Sequence, residues 1–193
     1  MFPLERCSVA GCGNLAVFGR PTCLEHDPQP SVLQREIESA LRSADPLSDL
    51  TLCRLELAEL DLSGRSIACC CLSHARLRRI RFDECRIRLL FLDFAFIEEC
   101  SFAGARAQSL VLGGSRFLSS SFAGAELLCS NFIGLSAREL DFEGSDLYAS
   151  RFTGSTLEAV RFRDCNLKQV HFDRCTLKDV DFKSSNTEEA LFA

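Results

Sequence analysis

The sequence predicts an all-β solenoid, a chain wound into repeating coils around its own core, and three observations predict it. Every fifth residue from Leu52 to Phe192 is Leu, Ile or Phe, with only Ala107, Ala137 and Thr187 departing. A second set, small or apolar, stands two places earlier and includes Cys70, Ala75, Cys85, Ala95, Cys100, Ser115, Ala125, Ser145, Cys165 and Cys175. Glycine recurs at 104, 114, 124, 134, 144 and 154, two places after a large residue. A helix would place apolar residues three or four apart and a half-buried strand two apart, so an unbroken period of five fits neither and implies a repeating turn. Residues two apart in extended chain point the same way. Each five-residue unit therefore sends one large and one small side chain inward, then turns a corner where glycine supplies a positive φ.

The elements follow in order. Residues 1–28 differ in character from the rest: Cys7, Cys12, Cys23 and His26 form C-x4-C-x10-C-x2-H, with Gly11, Gly13 and Gly19 between them. Three thiolates and an imidazole, delivered as two close pairs, suit a tetrahedral zinc site, and a segment this short buries too little apolar surface to fold without such a staple. Four protein ligands close the coordination sphere, so the expected zinc is structural. Free thiols in a flexible tail, or a disulfide, are the alternatives. Residues 29–47 hold a linker and a helix over Ser31–Ala44, with Ser31 and Gln34 as a capping box, Leu33, Ile37 and Leu41 on one face and Asp45-Pro46 as the stop. Its apolar stripe is expected to close the first coil of a solenoid spanning residues 48–193.

The units Ala125-Glu126-Leu127, Ser145-Asp146-Leu147 and Cys165-Asn166-Leu167 resemble the A(D/N)LXX unit of the pentapeptide-repeat family, and the register holds from about residue 50 to 193. The resemblance implies a right-handed quadrilateral parallel β-helix with one pentapeptide per side, hence about seven coils of twenty residues. Twenty-residue spacing then stacks Phe102, Phe122, Phe142, Phe162 and Phe182 in one ladder and Phe132, Phe152, Phe172 and Phe192 in another. The resemblance also implies end-to-end homodimers as one use of the open C-terminal end, where Leu191-Phe192 follow Thr187-Glu188-Glu189.

Composition excludes several functions. With 47% hydrophobic and 25% charged residues the chain is globular, and no apolar run approaches the ~18 residues of a membrane span. A net charge of -5 speaks against binding nucleic acid through phosphate contacts. The first twenty residues lack the basic-then-apolar pattern of a secretory signal, and a reducing, cytoplasmic setting fits twelve cysteines. Of the nine outside the N-terminal motif no two are twenty apart, so no bond between stacked coils is expected. Cys69-Cys70-Cys71 with His74 is read as small-residue usage rather than a second metal site.

No catalytic constellation emerges: seven serines fall on the small inward position, which removes them from attack on a substrate, and His171 is outward beside Asp173. The expected activity is noncatalytic protein–protein interaction through the outer faces, with an unidentified protein partner. Candidate contacts are the arginine cluster, Arg76, Arg81 and Arg86 in particular, and an outward apolar set of Phe91, Val111 and Ile133 expected on one side of the rod. The alternative, which the family resemblance supplies, is mimicry of duplex DNA toward DNA gyrase or topoisomerase, with an effect on quinolone sensitivity. That requires a dense negative surface, whereas acids and bases nearly balance over residues 50–193.

Overall fold

The computed structural model describes residues 4–192. A short 3-10 turn, Leu24–His26, precedes helix α1, Pro30–Ser43. The remainder is a parallel β-solenoid of about seven turns. Its strands are β1 (Leu47–Ser48), β2 (Glu56–Ala58), β3 (Ser66–Cys71), β4 (Arg76–Arg78), β5 (Arg86–Phe91), β6 (Phe96–Glu98), β7 (Arg106–Val111), β8 (Arg116–Ser121), β9 (Ser136–Asp141), β10 (Thr156–Glu158) and β11 (Thr176–Lys178). One sheet runs β1-β3-β5-β7 and another β2-β4-β6-β8-β9-β10-β11. Single parallel bridges such as Asp61↔Arg81↔Ser101 and Asn131↔Arg151↔His171 continue the walls between them. Partners lie one coil apart throughout, as in Ile67↔Ile87 and Leu157↔Leu177, so the twenty-residue register is the hydrogen-bond register.

Corners fall at every fifth residue from Asp49 to Glu189, and each has a positive φ. Glycine holds only some of them; Cys69, Leu89, Glu99, Ala149 and others adopt the same left-handed conformation with a Cβ. That conformation is uncommon for L-residues. Here the bonds from coil to coil and the packed interior fix it. Gly114 has a further reason to lack a side chain, since a Cβ there would lie 2.7 Å from the Phe94 ring.

Both inward positions are buried almost without exception from Leu52 to Phe172, as the pattern demands. The rings of Phe82, Phe102, Phe122, Phe142, Phe162 and Phe182, and those of Phe132, Phe152, Phe172 and Phe192, stack at centroid separations of 4.5–5.3 Å. The two ladders meet edge to face, so aromatic contacts run along the rod and across it. Where Ala137 breaks the apolar column, its neighbour one coil earlier is Phe117, a larger ring beside a smaller side chain. Several inward hydroxyls and thiols share one repeating contact: Ser145, Ser150 and Ser155 donate to the carbonyls of Phe122, Leu127 and Phe132, and Cys85 and Cys165 to those of Leu62 and Phe142. Ser and Cys are thus interchangeable here, small groups that share one acceptor geometry. Burial raises the Cys85, Cys100 and Cys165 thiols to about 11.

Helix α1 closes the first coil, and Leu33, Ile37 and Leu41 share one buried cluster with Leu52, Leu57 and Ile67. The expected capping box is absent. Pro30, which has no N–H to satisfy, takes the first helical position and draws Ser31 inside the helix, while Gln34 donates to the Glu56 carbonyl at 2.7 Å and ties the helix to β2. The other end of the helix is held by Arg65. It stands on an inward register position, yet its guanidinium donates to the carbonyls of Leu41, Arg42 and Ala44 at 2.6–2.7 Å. A cation at a helix C-terminus meets both the free carbonyls and the negative end of the dipole.

Candidate functional site

The N-terminal segment folds around its four ligand candidates. An antiparallel bridge, Arg6↔Leu15, brings the first pair back on itself, and the Cys12 amide donates to the Val9 carbonyl across the turn at 3.1 Å. The 3-10 turn carries the second pair, its His26 amide donating to the Cys23 carbonyl. Cys7, Cys12, Cys23 and His26 thereby place one donor atom each within 4.8 Å of one another, and among the described residues no other such group of three or more forms. The separations are 3.9 Å for Cys12 Sγ to Cys23 Sγ, and 3.5 and 3.4 Å from His26 Nδ1 to Cys7 Sγ and Cys23 Sγ. A tetrahedral ion with bonds of about 2.3 Å to sulfur and 2.0 Å to nitrogen spaces its ligands by about 3.8 Å for S–S and about 3.5 Å for S–N. The donor set therefore fits a metal ion in chemistry and in size. The Cys23 backbone amide, followed by that of Val9, holds the Cys7 thiol down to about 6, which favours the thiolate a metal needs.

This knuckle is built onto the rod. Val17 joins the buried cluster of α1 and the first coil, the Phe18 amide donates to the Thr51 carbonyl at 2.9 Å, and Arg20 pairs with Glu36 of α1 at 2.6 Å.

The walls divide by charge pairing. Arg76 lies 3.8 Å from Glu56 and over the Phe96 ring, and Arg81 is flanked by Asp61 and Asp83. Arg86 and Arg88, by contrast, join none of the ion pairs formed among the described residues. They rise from β5 into a groove of about 730 Å³ along the β3-β5-β7 wall, floored by the outer backbone and small side chains such as Ser66 and Ala68, with Arg106 on the next coil. Phe91 and Val111 are register partners and half-buried, whereas Ile133 sits exposed on the corner two residues past Asn131, the partner of Val111. Four acidic side chains of the C-terminal half are paired one coil away, Asp141 with Arg161, Asp181 with Arg163, Glu158 with Lys178 and Glu188 with Lys168, whereas Glu143, Asp146, Asp164 and Asp179 join none of the ion pairs among the described residues. The Lys183 amide and Arg163 hold the Asp181 carboxyl below its usual range.

One juxtaposition escaped the sequence reading. Cys53 Sγ and Cys71 Sγ lie 3.0 Å apart although the two residues are 18, not 20, apart in sequence. Cys71 is the register partner of Thr51, and Cys53, two residues beyond that partner, turns back over it. Both thiols are free, and an interval of twenty residues does not reach this pair. Of the neighbouring cysteines, Cys69 is a corner residue and Cys70 is buried inward, while His74 stacks on Phe94 at 5.1 Å.

A repeat of this register has a recognised sequence form. Residues 115–192 match the family model described as pentapeptide repeat region. Solved pentapeptide-repeat proteins to which the chain is similar include HetL of the cyanobacterium Nostoc sp. strain PCC 7120, involved in heterocyst differentiation regulation (14% identity over 82% of this chain and 92% of that one, TM-score 0.26). Another is a thylakoid-lumen protein of Arabidopsis thaliana, AT2G44920 (23% identity, 62% and 70%, TM-score 0.36). A third is trypsin-treated QnrB1, a plasmid-mediated fluoroquinolone resistance protein (14% identity, 74% and 84%, TM-score 0.41). No curated protein matches the chain by sequence. Among the described residues no helix is long and apolar enough to cross a membrane.

Proposed function

We propose that this protein is a noncatalytic interaction module whose N-terminal knuckle holds a structural zinc ion and whose β3-β5-β7 wall receives an acidic segment of a partner protein. The observation that carries this reading is a pair of arginines: eight of the fifteen on the rod form an ion pair with a carboxylate, while among the described residues Arg86 and Arg88, close together on β5, form none and project over a groove. An uncompensated positive strip on a rigid wall draws an acidic chain and loses that pull as salt screens it. Phe91 and Val111, at the other end of β5 and β7, extend the wall with apolar surface, and Ile133 adds a corner contact. The module is placed in the cytoplasm, where cysteine ligands stay reduced. The C-terminal end, with Leu177 and Phe192 exposed, is the surface for self-association.

Fluorescence polarisation against labelled Asp/Glu-rich and Lys/Arg-rich peptides tests the wall. Acidic peptides are expected to bind with a steep salt dependence, and Arg86→Glu with Arg88→Glu to weaken them at least tenfold. Equal affinity for both peptide classes, or none, contradicts the reading. DNA mimicry toward gyrase is the second reading; it ranks lower because Asp141, Glu158, Asp181 and Glu188 are each paired with a base, and protection or inhibition in a supercoiling assay would restore it.

A further inference from the structure

We propose that Cys53 and Cys71 form a peroxide-responsive dithiol that closes to a disulfide between the first two coils, beneath the metal knuckle. The geometry is specific to this pair. Their sulfurs, 3.0 Å apart, need approach by only about 1 Å to reach the S–S length of about 2.05 Å. Outside the metal group, no other two cysteine sulfurs among the described residues lie within hydrogen-bonding reach. Both line a cleft of about 330 Å³ between the knuckle, at Gly13, Asn14 and Leu15, and the second and third coils, at Ser73, His74 and Asp93. A reagent the size of hydrogen peroxide fits such an opening, though both thiols are otherwise buried.

Surroundings divide the roles. The hydrogen bond between the two sulfurs holds the Cys71 thiol below its usual range, while the same contact pushes Cys53 up. Ser73 Oγ lies 3.2 Å from Cys71 Sγ and donates to Asp93 Oδ1 at 2.6 Å, which fixes the side chains on the cleft side. The remaining inward thiols are single and raised by burial, so they neither ionise readily nor find a partner.

The chemistry balances with a hydroperoxide as oxidant. The Cys71 thiolate attacks one peroxide oxygen, the S–O bond forms as the O–O bond breaks, and the departing hydroxide takes a proton to leave as water. Cys53, giving up its proton, then attacks the Cys71 sulfur. The S–S bond forms, the S–O bond breaks and the second hydroxide leaves with that proton as water. Two thiols lose two electrons in total, and one hydrogen peroxide becomes two waters. The new bond spans 18 residues and so ties the coil that carries the knuckle to the one after it.

Full-length zinc-loaded protein treated with one equivalent of hydrogen peroxide, then denatured, alkylated and digested with trypsin, tests this. Cleavage after Arg42, Arg54, Arg65 and Arg76 puts Cys53 in one peptide, residues 43–54, and Cys69, Cys70 and Cys71 in another, residues 66–76. The expected product is these two peptides joined through Cys71, with Cys69 and Cys70 alkylated. A reductant-reversible rise in the thermal midpoint should accompany it. Cys53→Ser is expected to abolish the cross-link and the rise, and to leave Cys71 as a sulfenic acid trapped by dimedone. Recovery of both peptides fully alkylated under conditions that oxidise the exposed Cys129, or a link made through Cys69 or Cys70, overturns the proposal.

Discussion

The first and last coils share one register and meet solvent differently. At the N-terminal end α1 lies across the opening, and Leu33, Ile37 and Leu41 are buried against the residues of the first coil. At the C-terminal end Leu177 and Phe192 occupy the same inward positions that bury Leu57 and Phe132, yet they are 40% and 47% exposed. Register decides which way a side chain points; the next coil, or a roof, decides whether it is dry. In a rod where each coil touches only its neighbours, stability is therefore unequal along the axis. The N-terminal end carries three devices for closure: the α1 stripe, the Arg65 cap and the knuckle whose three cysteines and histidine could hold a metal ion. Among the described residues the C-terminal end has none of these.

Substitutions placed at matched positions sharpen the contrast. The largest effect is expected within the aromatic ladders. Phe142→Ala, which empties a fully buried site stacked on both sides, should cost about 3–5 kcal/mol in urea unfolding, whereas Phe192→Ala at the exposed end should cost no more than about 1 kcal/mol. Comparable losses at both sites would mean that the last coil is covered. Next comes the helix cap: Arg65→Met removes the donor to three carbonyls and should lower stability by about 1–3 kcal/mol, read as a lower thermal midpoint with the β signal of the rod retained. No change would show that those carbonyls are served by water. The smallest concerns the inward serines. Ser150 donates to the Leu127 carbonyl, while Ser130 Oγ is buried without a partner. Ser150→Ala should then cost about 1 kcal/mol and Ser130→Ala should be neutral or stabilising. Equal costs would contradict the assigned hydrogen bonds.

Much of the fold was legible in the sequence because one physical signal, inward burial at a five-residue period, is repeated along almost the whole rod. Phe102, Phe122 and Phe142 announce their own stacking by being twenty apart. The four metal-ligand candidates were legible too, since Cys7, Cys12, Cys23 and His26 are close in sequence and only local turns are needed to gather them. What the period hid were side chains that leave it. Arg65 reads as a flaw in the inward row, and its purpose appears only when the C-terminus of α1 lies beside it. Cys53 and Cys71 are off the stacking interval by two residues, so a search for partners twenty apart passes over them. The α1 start was misread because Ser31 and Gln34 satisfy a capping pattern that Pro30 pre-empts.

Hydrogen exchange along the chain, measured on zinc-loaded monomer before and after chelation, tests the account most directly. The loaded protein should protect the amides of the first coil, Leu52 and Arg54 among them, nearly as well as those of the middle coils, while residues 176–192 exchange fast. Chelation should release residues 4–28 and then the first coil, leaving the middle of the rod protected. Equal protection of residues 176–192 in the monomer, or a knuckle whose exchange is indifferent to chelation, would contradict a first coil closed by the proposed metal-held cap and a last described coil left exposed.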